Sequence, residues 1–276
     1  MLIDTHCHLD QHSSQGQPDE LIARAKSAGV AAFVVIGVGG EGALEEALAL
    51  ANQRHEVVAT AGVHPHDAAK TSEALEARIE EVMERPEVVA VGEVGLDYHY
   101  DLSPRDLQGE VFRRFVQLAK RVKKPLVIHT RSAPNDTLEI LESEGARDVG
   151  GIIHCFSEDL AFARRALDLD FDVSFSGIVT FKNAKSVHEV AAWAPSSRIL
   201  VETDSPYLAP VPLRGKRCEP AFVVHTARRV AELRGVSEAQ IAEETTRNAC
   251  RRLGPALAKA AGSSALRDPA EAAPLA

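Results

Sequence analysis

Leu2-Ile3-Asp4-Thr5-His6-Cys7-His8 opens the chain as a short apolar run that breaks into two histidines one residue apart. Side chains two apart on a strand share a face. His6 and His8, with Asp4 behind them, therefore point the same way and can grip one cation. An HxH alone carries little weight, because packing produces it too. The pattern matters because it recurs. Seven further β-branched runs follow, AAFVVIGV, VVATAGV, VVAVGEVGL, PLVIHT, GGIIHCF, FDVSFSG and ILVETD, and they run out at polar or metal-capable residues. Amphipathic segments lie between them over residues 18–28, 42–52, 72–84, 104–123, 136–144, 159–169 and 184–194, several opening on Pro, Ser or Asp as helix starts prefer. Strands that are apolar almost throughout and alternate with helices predict a parallel sheet covered by helices, and eight such units close into a (β/α)8 TIM barrel. An open doubly wound sheet is the competing architecture. It is disfavoured because no GxGxxG follows a strand and polar residues end many strands instead of gathering at one switch point.

Beyond the eighth run come a Pro-rich loop, DSPYLAPVPLRGKRCEP, and two helical segments over 221–234 and 238–253. From Gly254 the composition turns to Ala with Gly, Ser and Pro and loses apolar periodicity, which predicts one domain over 1–253 and a flexible tail over 254–276. No apolar run approaches the roughly 18 residues that span a bilayer, and the N-terminus starts a strand instead of a signal sequence. A cytoplasmic protein without a membrane segment or an obligate protein partner is expected. Cys7, Cys155, Cys218 and Cys250 have no CxxC spacing, so they read as reduced thiols, Cys7 and Cys155 as packing residues. A net charge of -9 opposes coating nucleic acid through the whole surface but leaves room for a basic rim.

In a barrel of this kind chemistry sits at the C-terminal strand ends. His6 and His8 end the first run, His64 and His66 follow the third in GVHPH, Glu93 ends the fourth, His129 the fifth, His154 the sixth and Asp204 the eighth. Taken singly, a histidine at a strand end is more often a hydrogen-bonded rim residue, and Glu93 or Asp204 could pair with Arg131 or Lys182. Taken together, several imidazoles and two carboxylates converging on one mouth call for a cation. A bridging carboxylate holds two cations about 3.5 to 4 Å apart, and a hydroxide between them attacks at neutral pH. Glu202 lies two residues before Asp204 and shares its face, as a supporting or extra-metal residue or a buried carboxylate paired with a base; Asp4 supports from behind. His64 and His66 either contact substrate or shape a loop around Pro65.

The motifs DTHCHLD, GVHPH, VGEVGLDY, PLVIHTRSA, GIIHCFS, FSGIVTF and ETDSPYLAP resemble those of the TatD family of metal-dependent hydrolases, a magnesium-dependent deoxyribonuclease group among the amidohydrolase-like barrels, over about residues 1 to 252. The resemblance implies that His6, His8, Glu93 and Asp204 hold one metal while Glu93, His129 and His154 hold a second, Glu93 bridging. It departs at Cys218, where the family usually carries Asn after the basic RGKR stretch. Two divalent cations are expected, Mg, Mn or Zn; imidazole-rich ligation suits the softer ions, whereas the resemblance implies magnesium. Asp204 and Glu93 are the expected catalytic residues, with Asp204 accepting the proton of the nucleophile. The leading activity is hydrolysis of DNA phosphodiesters from an end. An amide, lactone or ester hydrolase, such as a D-aminoacyl-tRNA deacylase, is the second reading, disfavoured because many such barrels bridge their metals with a modified lysine and VGEVGLD has none. A non-catalytic metal-binding scaffold is the third. Arg214, Lys216 and Arg217, in the loop after the last strand, together with Arg131, are expected to steer a phosphodiester backbone over the metals.

Overall fold

Strand and helix alternate along the chain, and that order decides the architecture. The computed structural model describes residues 1–10, 13–15, 17–39 and 41–262. Eight strands, β1 (Leu2–Cys7), β2 (Val30–Gly37), β3 (Val57–Ala61), β4 (Val88–Asp97), β5 (Leu126–Arg131), β6 (Gly151–Ile153), β7 (Phe171–Phe175) and β8 (Ile199–Val201), lie in sequence order and pair parallel with their neighbours. The first and last meet through a parallel bridge of Cys7 with Ser205, supported by His8 N–H donating to Ser205 O at 2.8 Å and Asp204 N–H to His6 O at 2.9 Å. The result is an eight-stranded α/β barrel of the TIM type.

Along β2, Phe33 and Val35 face the helices while Ala32, Val34 and Ile36 face the interior, so both faces of the strand are apolar, as a buried parallel sheet requires. The helices are α1 (Pro18–Ser27), α2 (Glu41–Gln53), α3 (Glu73–Val82), α4 (Arg105–Val122), α5 (Pro134–Ser143), α6 (Leu160–Asp168), α7 (Lys185–Trp193), α8 (Val223–Arg234), α9 (Glu238–Leu253) and α10 (Pro255–Ala260). Ser72, Asp159 and Ser237 cap three of them by accepting the amides of Leu75, Phe162 and Gln240. α4 buries Val111, Phe112, Phe115, Val116 and Ala119 on one stripe, and each Phe taken from water contributes about 1.5 to 3 kcal/mol.

Two expectations change. Residues 255–260, expected to begin the flexible tail, form α10; its Leu257 and Ala258 pack with Leu253, Val58 and Ala32 in the smaller apolar cluster at the N-terminal end of the barrel. Pro255 at the first helical turn and apolar partners nearby outweigh the low-complexity composition. The remainder of that tail, residues 263–276, lies outside the described residues. The strand ends also differ from the apolar runs: β4 continues four residues past Glu93, β6 stops before His154, and β8 stops three before Asp204. Among the described residues no helix is long and apolar enough to cross a membrane.

Candidate metal centre at the barrel mouth

Two bulges aim the central side chains. On β4 the register runs Gly92 opposite Val127, then Val94 opposite Ile128, leaving Glu93 as an extra residue unpaired with β5. A bulge re-aims its side chain and is common beside active sites. The glycines around it are obligatory: a Cβ on Gly92 (φ 154) would sit 2.6 Å from Val127 O, and one on Gly95 (φ 143) 1.9 Å from His129 O. A second irregularity lies between Asp4 and Cys7 on β1, where three steps face two on β2. It breaks the simple alternation along β1, and Asp4 supports the histidine segment through its carboxylate, which accepts His6 N–H at 3.4 Å. Its carboxylate accepts from Thr203 N–H at 2.9 Å and Thr203 Oγ1 at 2.6 Å, tying β1 to the segment that carries Asp204. Burial pushes this carboxyl up to about 8 despite those bonds.

The two oxygens of Glu93 serve different neighbours. Oε2 lies 3.3 Å from His6 Nε2. Oε1 lies 2.8 Å from His154 Nε2, 2.8 Å from His129 Nδ1 and 3.4 Å from His64 Nε2. Asp204 Oδ1 stands 3.7 Å from His6 Nε2 and 3.6 Å from His8 Nε2. The rings of His6 and His154 stack face to face, centroids 3.9 Å apart and 14° from parallel. Asp204 itself adopts φ 57, a left-handed conformation uncommon outside glycine and found at functional sites.

Among the described residues three donor triplets could each hold an ion, their ligand atoms all within 4.8 Å: His6, His8 and Glu93; His6, His154 and Glu202; His64, Glu93 and His129. The second is weakened by the stacking, because parallel rings direct their lone pairs side by side instead of at one point. Glu202 is better described as a support: its Oε1 pairs with His154 Nδ1 at 3.2 Å and accepts Cys155 N–H at 2.7 Å, and among the described residues no arginine or lysine pairs with it. His64 is also compromised as a ligand in the third. Its Nδ1 accepts His66 N–H at 3.1 Å, which places the proton of the neutral ring on Nε2. Burial drives His64 down to about 4, against the pull of Glu93, so the ring is neutral and offers an N–H donor.

Charges at the mouth support one another only through histidine. Burial works to raise Glu93, yet His154, His64, His6 and His129 hold it well below the usual carboxylate range. Burial opposes protonation of His8, His129 and His154, but adjoining carboxylates raise all three, Glu93 and Glu202 acting most strongly on His154. His6 is lowered by burial and by His154, and neither of its buried ring nitrogens has a hydrogen-bond partner. Glu202 Oε2 is likewise buried without a partner. Imidazole and carboxylate donors at this spacing, with unpartnered nitrogens aimed among them, suit divalent cations.

The substrate-binding candidates scatter around this centre. His66 Nε2 lies 3.0 Å from Asp97 Oδ2, Arg131 stacks its guanidinium 4.6 Å from the Tyr100 ring centroid, Arg214 sits 4.1 Å above the Phe181 ring, and Arg217 donates to Ser13 O at 2.7 Å. Lys216 is exposed, and Cys218 is buried, its N–H donating to Pro206 O at 3.1 Å. Of the two cysteines read as packing residues, Cys7 is fully buried among apolar side chains; Cys155 is only half-buried, at φ 45, its thiol 3.2 Å from Ser176 Oγ. Asp97 escaped the sequence reading although it stands inside VGEVGLDY. Four residues after Glu93 on the same strand, it ends the longer β4, and that spacing was the available signal.

Barrel, bulges and donor set define a (β/α)8 protein with a candidate metal centre at its C-terminal mouth. Residues 3–254 match the family described as TatD related DNase, and the chain belongs to that family. It is 44% identical over 251 residues to YabD of Bacillus subtilis, covering 91% of this chain and 98% of that protein, and 41% identical over 253 residues to YcfH of Escherichia coli K12, covering 91% and 94%; both are named as uncharacterized metal-dependent hydrolases. The crystal structure of YJJV, a TatD homolog from Escherichia coli K12, superposes with a TM-score of 0.86 at 29% identity, over 91% of this chain and 97% of that one.

Proposed function

We propose that residues 1–253, with α10 packed on them, form one metal-dependent hydrolase domain that cleaves DNA phosphodiesters from an end, and that Glu93 would help to hold two divalent cations. The supporting observation is the division of Glu93: one oxygen faces His6, the other His154 and His129, across two imidazoles stacked 3.9 Å apart. Side-by-side rings present lone pairs about as far apart as the cations of dinuclear hydrolases, roughly 3.5 to 4 Å. His6, His8 and Asp204 complete one donor set and His129 and His154 the other. Bound cations, Mg, Mn or Zn, supply Lewis-acid polarisation of a phosphoryl oxygen and a water acidic enough to attack near neutral pH.

The chain's own groups do the rest. Asp204, held below its usual range by His8, His154 and His6 against the effect of burial, is ionised and accepts the proton. His64, neutral and with its proton on Nε2, donates to an anionic substrate oxygen. Arg131, Arg214, Lys216 and Arg217 hold the phosphodiester backbone at the rim, and as the P–O bond to the sugar breaks the departing oxygen takes the proton from Asp204 and leaves as a hydroxyl. DNA is the substrate the family description suggests. Esters, lactones and amides are the competing class, and β4, VVAVGEVGLD, carries no lysine to bridge metals in the way many amide-cleaving barrels do.

Metal analysis of the purified protein, followed by product mapping on end-labelled single-stranded DNA, tests this. Two equivalents of metal and stepwise shortening from one end are expected. A metal-loaded protein that leaves DNA intact while opening a lactone or an aminoacyl ester would overturn the nuclease reading.

A further inference from the structure

We propose that Asp97 is a positioning residue that fixes the proton of His129 on Nε2 and so leaves Nδ1 free for a cation. The inference rests on the reading of His129 as a ligand. Asp97 Oδ2 lies 3.0 Å from His129 Nε2 and 3.0 Å from His66 Nε2, while His129 Nδ1 faces Glu93. An ionised carboxylate only accepts, so both Nε2 atoms carry hydrogen toward Asp97, while a hydrogen on His129 Nδ1, facing Glu93, is the one a cation would displace. Ligating histidines usually donate their second N–H to such a partner, which sets tautomer and ring orientation.

Asp97 is itself held on every side. Its Oδ1 accepts the backbone amides of His99 at 3.0 Å and Tyr100 at 2.8 Å. Buried Gln108 of α4 clamps its backbone, accepting Asp97 N–H at 2.8 Å and donating to Asp97 O at 3.2 Å. The same Gln108 donates to Ser103 O at 2.8 Å, and Ser103 Oγ donates to His66 O at 2.9 Å. The end of β4 thus presents one preset oxygen to two imidazoles.

This arrangement makes Asp97→Asn informative. The amides of His99 and Tyr100 require an acceptor, so the new carboxamide must keep its oxygen there and turn its NH2 toward His129 and His66. A donor facing Nε2 of His129 forces that nitrogen to accept and moves the ring proton to Nδ1, the ligating atom. Asp97→Ala removes the acceptor without imposing a donor.

The test combines imidazole-nitrogen NMR of the metal-free protein with calorimetric titration by Zn2+ alone. The His129 resonances are identified by their loss in His129→Gln. In the wild type, Nε2 of His129 should be protonated; in Asp97→Asn it should be bare. Zn2+ affinity at the weakened site should fall about 10- to 100-fold in Asp97→Asn, and by less in Asp97→Ala. An unprotonated Nε2 in the wild type would overturn the proposal, and that measurement does not depend on any variant folding. Equal Zn2+ losses in the Asn and Ala variants would also overturn it. Undiminished Zn2+ binding by His129→Gln would instead remove the ligand assignment beneath it, even with Nε2 protonated.

Discussion

Both ends of this barrel bury carboxylates, and they neutralise them in opposite ways. At the N-terminal end Asp172, fully buried, receives Arg198 Nε at 2.5 Å, Arg251 Nη2 at 2.8 Å and Arg252 Nε at 2.9 Å, and Asp170 takes Arg252 Nη1 at 2.9 Å and Arg198 Nη2 at 3.0 Å. At the C-terminal end Glu93, Asp97, Glu202 and Asp204 face histidines, and among the described residues no guanidinium or ammonium pairs with them. Three arginines complete the lower cluster from within the chain. The upper cluster lacks such permanent charge and holds its carboxylates with histidines, donors that a divalent cation can take over. One end is built for stability and the other for occupancy.

The largest effect that tests this contrast is loss of metal. Exhaustive chelation should abolish hydrolysis and re-addition of a divalent cation should restore it; full turnover after demonstrated metal removal would break the argument. Glu93→Gln should lower kcat/KM at least about 1,000-fold, because the donors act as a unit, and should empty both metal positions. Asp204→Asn should keep more metal and lose chiefly rate. Equal metal loss in the two variants would erase that division.

The lower cluster should answer with stability instead of activity. Asp172→Asn leaves three guanidinium groups around a neutral amide, and breaking a buried ion cluster costs about 3 to 5 kcal/mol in denaturant unfolding. Its metal content should match the wild type, and saturating metal at about 100 Kd should still add about 2.7 kcal/mol. Glu93→Gln should not show that metal-dependent gain. A Tm that responded to metal equally in both variants would blur the two ends into one.

A smaller effect concerns substrate. Replacing Arg214, Lys216 and Arg217 together by Ala should raise KM for an oligonucleotide, flatten the salt dependence by about 0.7 in slope per lost phosphate contact on single strands, and leave hydrolysis of a small phosphodiester almost unchanged. Lys216 should matter most, since Arg214 already rests on Phe181 and Arg217 already donates to Ser13. A wild-type salt slope would return this loop to ordinary surface.

The smallest effect is on acid stability. Burial works to raise Asp170, but Arg252, Arg198 and Arg251 hold it below its usual value. Its folded pKa is therefore below its unfolded one, near 3.9, so its contribution is complete above that pH and vanishes as pH falls through the lower folded value. The group is 44% exposed, so screening keeps the contribution small. Asp170→Asn should flatten only this acid limb of the stability curve. An unchanged limb would show the arginines to be satisfied by Asp172 alone.

Much of this was readable residue by residue. Near-continuous apolar runs and capped amphipathic segments are local properties, and they specified eight strands and nearly every covering helix, from 18–28 to 238–253. The gathering of His6, His8, Glu93, His129, His154 and Asp204 was legible because a closed parallel barrel brings all strand ends to one mouth. α10 was missed because six residues of Ala-rich sequence carry little periodicity, and its burial against β2 and β3 is a long-range event.

What local pattern could not supply is phase and partnership. Alternation assumes one residue per step, and an extra residue on β1 turns Asp4 toward Thr203 while another on β4 sets Glu93 between two imidazoles. Register is a relation between two strands, so no single strand encodes it. The same holds for protons: that His129 leans on Asp97 and that Glu202 supports His154 depend on which atoms meet across 32 and 48 residues of chain. Residue types and their order were set by covalent sequence, whereas the direction of each lone pair was set by packing, since a ring nitrogen takes its role from the neighbour on its other side.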